Sequence, residues 1–174
     1  MDNNQDAKND FSDPFIDKTE YLSNTFIYPV GDGEAKDYYN AQKFRENNHL
    51  GEDWNKTSGG NTDLGEPILS IANGYVTFAK DVKGGWGNVI RILHKTKQGK
   101  FIESLYAHCD SIYVSKGDYI KMKDQIGTIG TAHDKYLAHL HFEIRNKPNM
   151  PLGGGYSIDA SNFLCPTDFI ETHR

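Results

Sequence analysis

From residue 66 onward, the chain is a procession of short apolar-rich runs separated by turn signals, with strict apolar-polar alternation in the last of them, at 139–144. Ile68-Leu69-Ser70-Ile71 ends at Asn73-Gly74, and Tyr75-Val76-Thr77-Phe78-Ala79 follows. Asn88-Val89-Ile90-Arg91-Ile92-Leu93 then emerges from the loop Gly84-Gly85-Trp86-Gly87, and runs at 101–107, 112–114, 126–129 and 139–144 complete the series. Alternation with a period of two sends successive side chains to opposite faces of a strand. Strands at this spacing, separated by Gly, Asn and Asp turns, predict an all-β architecture with antiparallel pairing. No amphipathic helix is expected after residue 65, and the only stretch the pattern leaves open to a short helix is 38–45. The stretch Ser58-Gly59-Gly60-Asn61-Thr62-Asp63 reads as a loop by its turn chemistry, as does the Gly-rich surface segment 151–156. The tail closes with Pro166-Thr167-Asp168-Phe169-Ile170, and there is no internal repeat. Residues 1–24, poor in apolar positions, predict a flexible or draped arm ahead of one domain at 25–171.

Composition narrows the function classes. A chain of 174 residues with 37% hydrophobic and 12% aromatic content can bury the core of one domain. Its net charge of -5, with no basic cluster, argues against nucleic acid as the main partner. No apolar run approaches the roughly 20 residues that cross a bilayer. The polar, acidic start MDNNQDAKNDFSDPF has no h-region of a signal peptide. Taken bare, this suits the cytoplasm, and it suits equally a mature chain whose leader has been replaced. Cys109 and Cys165 could pair in an exported protein or stand as two free buried thiols, and no C-x-x-C offers a zinc knuckle or redox motif.

The chemistry begins at His139-Leu140-His141, inside the alternating run LAHLHFEIR. On a strand the two imidazoles share one face and Leu140 points to the core. Such a pair suits a metal site or proton transfer and is seldom needed for packing. Upstream, His49-x-x-x-Asp53 places a nitrogen and an oxygen ligand on one side, read as a loop entering a strand because Asn47-Asn48 and Gly51 disfavour helix. His108 closes the run Ser104-Leu105-Tyr106-Ala107-His108, which predicts Tyr106 and His108 on one face and Ala107 and Cys109 on the other. Taken singly, each of these residues has an ordinary structural explanation.

Together they resemble the M23 (LytM-type, lysostaphin-like) zinc metallopeptidases, in the order H-x-x-x-D, Y-A-H and H-L-H-F-E. Further likeness lies in Gly74-Tyr75-Val76, Gly85-Trp86-Gly87-Asn88-Val89-Ile90, the segment 114–120 and Gln125-Ile126-Gly127-Thr128-Ile129-Gly130. The resemblance covers roughly residues 47–146. It implies an antiparallel, two-sheet, sandwich-like metallopeptidase domain with a substrate groove over one sheet. It implies one catalytic Zn2+ held by His49, Asp53 and His141, with the fourth position left to water and His108 and His139 flanking that water as catalytic groups. The implied activity is endopeptidase cleavage of peptide bonds in peptidoglycan, by a monomer located outside the cytoplasmic membrane. The chain departs from the family at Ala132-His133-Asp134-Lys135-Tyr136, where a Thr-Gly turn is usual, and at Cys109 after Tyr106-Ala107-His108. Neither departure touches a ligand; both bear on the shape of the groove. No H-E-x-x-H is present, so histidine replaces the glutamate base of helical zincins.

Other residues carry weaker expectations. His94 is read as a buttress of the sheet or groove floor, His133 as an exposed turn residue beside the cleft, and His173 as tail. Tyr38 or Tyr39 is a candidate oxyanion donor. Glu143, on the face of His139 and His141, is either a partner that holds a histidine tautomer or a surface group. Two further function classes are weighed. A non-catalytic regulator or binder of cell-wall hydrolases would be expected to lack metal residues, all of which are present. A lipoyl-type or biotinyl-type carrier is suggested by 114–118 and 125–127, but Lys121-Met122-Lys123 inverts the Met-Lys-Met order of those domains, which have no use for the histidines.

Overall fold

The computed structural model describes residues 12–174. Its main sheet is antiparallel and eight-stranded. The strands are β1 (Tyr38–Gln42), β2 (Glu52–Lys56), β4 (Gly74–Asp81), β5 (Asn88–Lys95), β6 (Phe101–Cys109), β7 (Tyr119–Ile120), β9 (Leu140–Arg145) and β10 (Phe163–Leu164). They lie in the order β1-β2-β9-β6-β5-β4-β7, and β10 continues the edge of β9 that β2 leaves after Phe142. A second, two-stranded sheet pairs β3 (Pro67–Leu69) with β8 (Gln125–Thr128). The architecture is therefore all-β with antiparallel pairing.

One face of the large sheet carries the core. Leu140, Phe142 and Ile144 of β9 join Trp54, Ile90, Ile92, Ile102 and Tyr106 there, under Ile68, Ile71 and Ile126 of the smaller layer. The alternation in 139–144 suggests a half-exposed strand, yet all six residues of β9 are buried. Its polar face is roofed by the loop at 149–155, whose backbone accepts hydrogen bonds from that face.

Four expectations need correction. The segment at 38–45 is strand β1, not helix: it pairs with β2 across a bulge at Asn40/Gln42, which hides the period of two. A helix does follow residue 65, namely α1 (Pro166–Thr172). Pro166 occupies its first turn, where proline is pre-organised, and Phe169 and Ile170 dock it on the core, so packing supplies what seven residues cannot show as periodicity. The run at 112–114 forms a single bridge, Ile112 to Gly127. Finally, Tyr106 and His108 do not share a face. Tyr106 pairs with Ile90 and Cys109 with Asn88, so Ala107 and His108 together oppose Val89 in a bulge. His108 takes φ 63°, in the left-handed region, which turns it away from the core that holds Tyr106 and Cys109. Such a conformation costs a non-glycine residue roughly 1–3 kcal/mol.

Of the expected arm, residues 1–11 lie outside the described residues. Residues 12–24 drape over the sheet. Phe15 is buried against Phe101 and Tyr119, Asp13 pairs with Lys95, and Tyr119 donates its hydroxyl to the Pro14 carbonyl. Both cysteines are free, Cys109 buried and Cys165 partly so.

Candidate metal centre and cleft

His49 leaves a single helical turn and precedes β2, where Asp53 lies directly across from His141 of β9. Gly51 allows this approach. A β-carbon there would stand 2.5 Å from the Phe142 carbonyl oxygen and 3.1 Å from the His141 ring. The chain thus brings three ligand atoms to one point. His141 Nδ1 is 3.0 Å from His49 Nε2 and 3.0 Å from Asp53 Oδ1, and His49 Nε2 is 3.4 Å from the same Asp53 oxygen. Both imidazoles are buried and Asp53 is nearly so.

Two nitrogens and a carboxylate oxygen are donors suited to zinc, and tetrahedral ligands at about 2.0–2.1 Å from the metal sit roughly 3.3 Å apart. The three observed separations fit that figure. The electrostatics fit as well. Burial works against a charged His141, yet hydrogen bonds to Asp53 and Glu143 push its pKa up to about 9 when no metal is present. Burial likewise opposes an ionised Asp53, but hydrogen bonds from His141 and His49 hold its carboxyl far below the usual carboxylate range. The pocket therefore favours positive charge where the three ligand atoms converge.

Hydrogen bonds fix the tautomers. Glu143 Oε1 lies 3.1 Å from His141 Nε2 and can only accept, so that nitrogen carries the proton and Nδ1 is the atom turned to Asp53 and His49. Glu143 is thus the buried partner of a histidine rather than a surface group. His139 donates from Nδ1 to the Leu137 carbonyl (2.8 Å), and His108 from Nδ1 to the Trp86 carbonyl (3.3 Å). In their neutral forms both keep Nε2 as a free acceptor. The two rings stand 4.8 Å apart, and His139 Nε2 is 3.9 Å from Asp53 Oδ1. Burial, then repulsion from His141 and His139, pushes the His108 pKa down to about 3, which keeps it neutral. Gly130 backs both histidines. It bridges to His139, and a β-carbon there would meet the His108 carbonyl oxygen at 2.5 Å.

Asp53, His108, His139 and His141 open on a cleft of about 400 Å³. Its walls are Trp86, Tyr136, Tyr156, Gln42 and the glycines at 85, 154 and 155. The Tyr156 ring lies 5.0 Å from that of His49, and Tyr136 lies 5.0 Å from His108. Tyr38 and Tyr39 are the tyrosines expected there as candidate oxyanion donors. Neither expected residue lines the cleft, and Tyr38 faces a separate cavity with Lys56 and Glu66. Nothing local in the sequence marks Tyr136 or Tyr156 as a cleft residue: Tyr136 lies in the turn just ahead of His139, and Tyr156 arrives on a loop distant in sequence from His49.

The remaining histidines stay outside. His94 is wholly buried between the Asn73 carbonyl and Ser104 Oγ, each at 2.8 Å, and desolvation pushes its pKa down to about 4. His133 is exposed beside Asp81, and His173 stacks on Phe169 at the end of α1.

Comparison with known proteins gives the family and relatives of the same fold. The sequence model of peptidase family M23 matches residues 47–153. Lipoprotein NlpD of Yersinia enterocolitica is 37% identical over 100 residues, 58% of this chain and 91% of that protein. The murein hydrolase activator NlpD of Salmonella dublin is 32% identical over 65% of this chain, which spans only 28% of that relative. Among solved structures, lysostaphin from Staphylococcus simulans superposes with a TM-score of 0.53 at 22% identity, covering 88% of this chain and 50% of that one. A zinc-containing peptidase from Vibrio cholerae gives 0.55 at 25% identity, covering 74% and 41%.

Proposed function

The chain belongs to peptidase family M23, and from that premise we propose that it is a zinc-dependent endopeptidase cleaving peptide bonds of bacterial peptidoglycan. The observation that carries this reading is the convergence of His49 Nε2, Asp53 Oδ1 and His141 Nδ1 within 3.4 Å of one another, beside two histidines with free Nε2 atoms. Those three residues would hold the metal. Zinc, when bound, supplies a Lewis acid for the scissile carbonyl and lowers the pKa of water to about 7.

The chain's own residues do the rest. His139 Nε2 accepts a proton from the attacking water and returns it to the departing amine. His108, its neighbour, is neutral with Nε2 free, so it accepts a hydrogen bond from the attacking water and orients it. Trp86, Tyr136 and Tyr156 wall the cleft, and the glycines at 154 and 155 let an extended peptide backbone come close.

A second reading has a specific observation in its favour: a relative bears the name murein hydrolase activator. On that reading the chain would bind and regulate another wall hydrolase. The complete ligand set favours the peptidase. A peptidoglycan substrate also places the protein outside the cytoplasmic membrane, which fractionation of the native full-length protein would check; detection in the cytosol alone counts against it.

The deciding experiment digests defined muropeptides with and without added zinc and identifies products by mass spectrometry. Cleavage that disappears on chelation and in His141→Ala supports the peptidase. Undiminished cleavage in either arm sinks it. Bound zinc without cleavage, joined to acceleration of a second wall hydrolase, selects the regulator.

A further inference from the structure

A chain of buried charges runs from the metal-facing histidine to the base of the loop that walls the cleft. His141 donates to Glu143 Oε1, and Glu143 Oε2 accepts from Arg145 Nε at 2.7 Å and Nη2 at 2.6 Å. Arg145 Nη1 stands 3.9 Å from Glu103 Oε1, which also takes Nε and Nη2 of Arg91 at 2.9 and 2.7 Å. Strand register explains the alignment. Ala107 opposes His141, Leu105 opposes Glu143, Glu103 opposes Arg145, and Arg91 opposes Leu105, so one face of β5, β6 and β9 presents every rung. Glu103, Glu143 and Arg145 are fully buried.

The remaining N–H groups of these arginines bind the loop above. Arg91 donates to the Met150 carbonyl, and Arg145 to those of Pro151 and Leu152, at 2.9, 3.3 and 2.9 Å. The Asn149 amide in turn donates to Glu103 Oε2. Three consecutive carbonyls are clasped without any side chain of the loop. The chain then continues directly into Gly153, whose carbonyl accepts from Trp86 Nε1, and into Gly154, Gly155 and Tyr156 of the cleft wall. Burying four charges is costly, and an apolar face could hold a loop at least as firmly. An apolar face could not orient an imidazole and grip backbone carbonyls through the same group.

We propose that Arg145, supported by Glu103 and Arg91, is a positioning residue that sets the His141 imidazole and the 149–156 wall together, so that metal site and substrate cleft stay in one register. This rests on the reading of His141 as a metal ligand. A guanidinium suits the task because its planar fork meets Glu143 along one edge and the loop carbonyls along another, whereas an ammonium is a single point donor.

The test uses Arg145→Lys and Arg91→Lys in the whole chain, with amide hydrogen exchange and zinc retention against a competing chelator as readouts. In Arg145→Lys, exchange at Asn149, and at Leu50, whose amide holds the Gly155 carbonyl, should rise about tenfold. Zinc retention should weaken about tenfold, the usual size of such outer-shell effects, while Leu105 and Phe142 keep wild-type protection. Arg91→Lys, farther from His141, should loosen the wall similarly with a smaller loss of zinc, and it decides the matter if Arg145→Lys does not fold. Wild-type exchange and zinc retention in a folded variant overturn the proposal. So does loosening that spreads uniformly through the sheet, which marks a merely structural role. A wild-type protein that retains no zinc overturns the metal reading and the His141 half of the proposal, while exchange at the wall still judges the other half.

Discussion

Backbone carbonyls decide which nitrogen of each catalytic candidate is available. Leu137 and Trp86 hold the Nδ1–H groups of His139 and His108, leaving both Nε2 atoms toward the cleft. His139→Ala should therefore lower muropeptide hydrolysis by about 10²–10⁴-fold, the usual contribution of a general acid or base, with zinc content unchanged by metal analysis. Loss of zinc alongside activity would make His139 part of the metal-binding set instead. His94 supports a different expectation. Its pKa falls from 6.5 in the unfolded chain to about 4 in the folded one, so the unfolded state binds the proton more readily between those values. His94 should leave stability intact above pH 6.5 and withdraw about 3 kcal/mol as pH falls to 4. Denaturant unfolding across that window should show a slope that His94→Gln flattens. At this scale the ligand types and their spacing are visible in the chain. The tautomers are not, because a proton's position depends on a carbonyl brought near by folding.

Among the elements, α1 shows how a short helix depends on its docking site. Its first-turn Thr167 donates to Glu52 Oε2 at 2.9 Å, and burial raises the pKa of that carboxyl against the hydrogen bonds that Thr167 provides. Thr167→Val keeps the shape and removes the hydroxyl, which should cost about 1–3 kcal/mol for a buried acceptor left short of a donor. Urea unfolding midpoints would measure it; a change within error would mean that water replaces the bond. The long strands β4, β5, β6 and β9 were legible because runs rich in β-branched and aromatic residues are bounded by Gly, Asn and Asp turns. Strand β1 and the His108 bulge were not. A bulge inserts one residue into one strand, so the period of two breaks at the position where the partner strand, unseen in the sequence, sets the register.

For the molecule as a whole, the metal reading predicts linkage between zinc and folding. Zinc at about 100 times its dissociation constant should add about 2.7 kcal/mol of stability and raise Tm by roughly 5–10 °C. Thermal unfolding with graded zinc would record this, and His141→Ala should abolish the dependence; an unchanged Tm in the wild type would count against a site that binds only the folded state. The sequence by itself determined the all-β class, the antiparallel strands and the polar motifs, because periodicity and ligand types are local properties of the chain. Only the tertiary structure decided that Tyr136 and Tyr156 wall the cleft, that His108 leaves the face of Tyr106, and that Glu143, Arg145 and Glu103 tie His141 to the base of the loop that walls the cleft. Those facts depend on strand register and loop placement set by the folded chain, and on charges whose burial makes each partner obligatory.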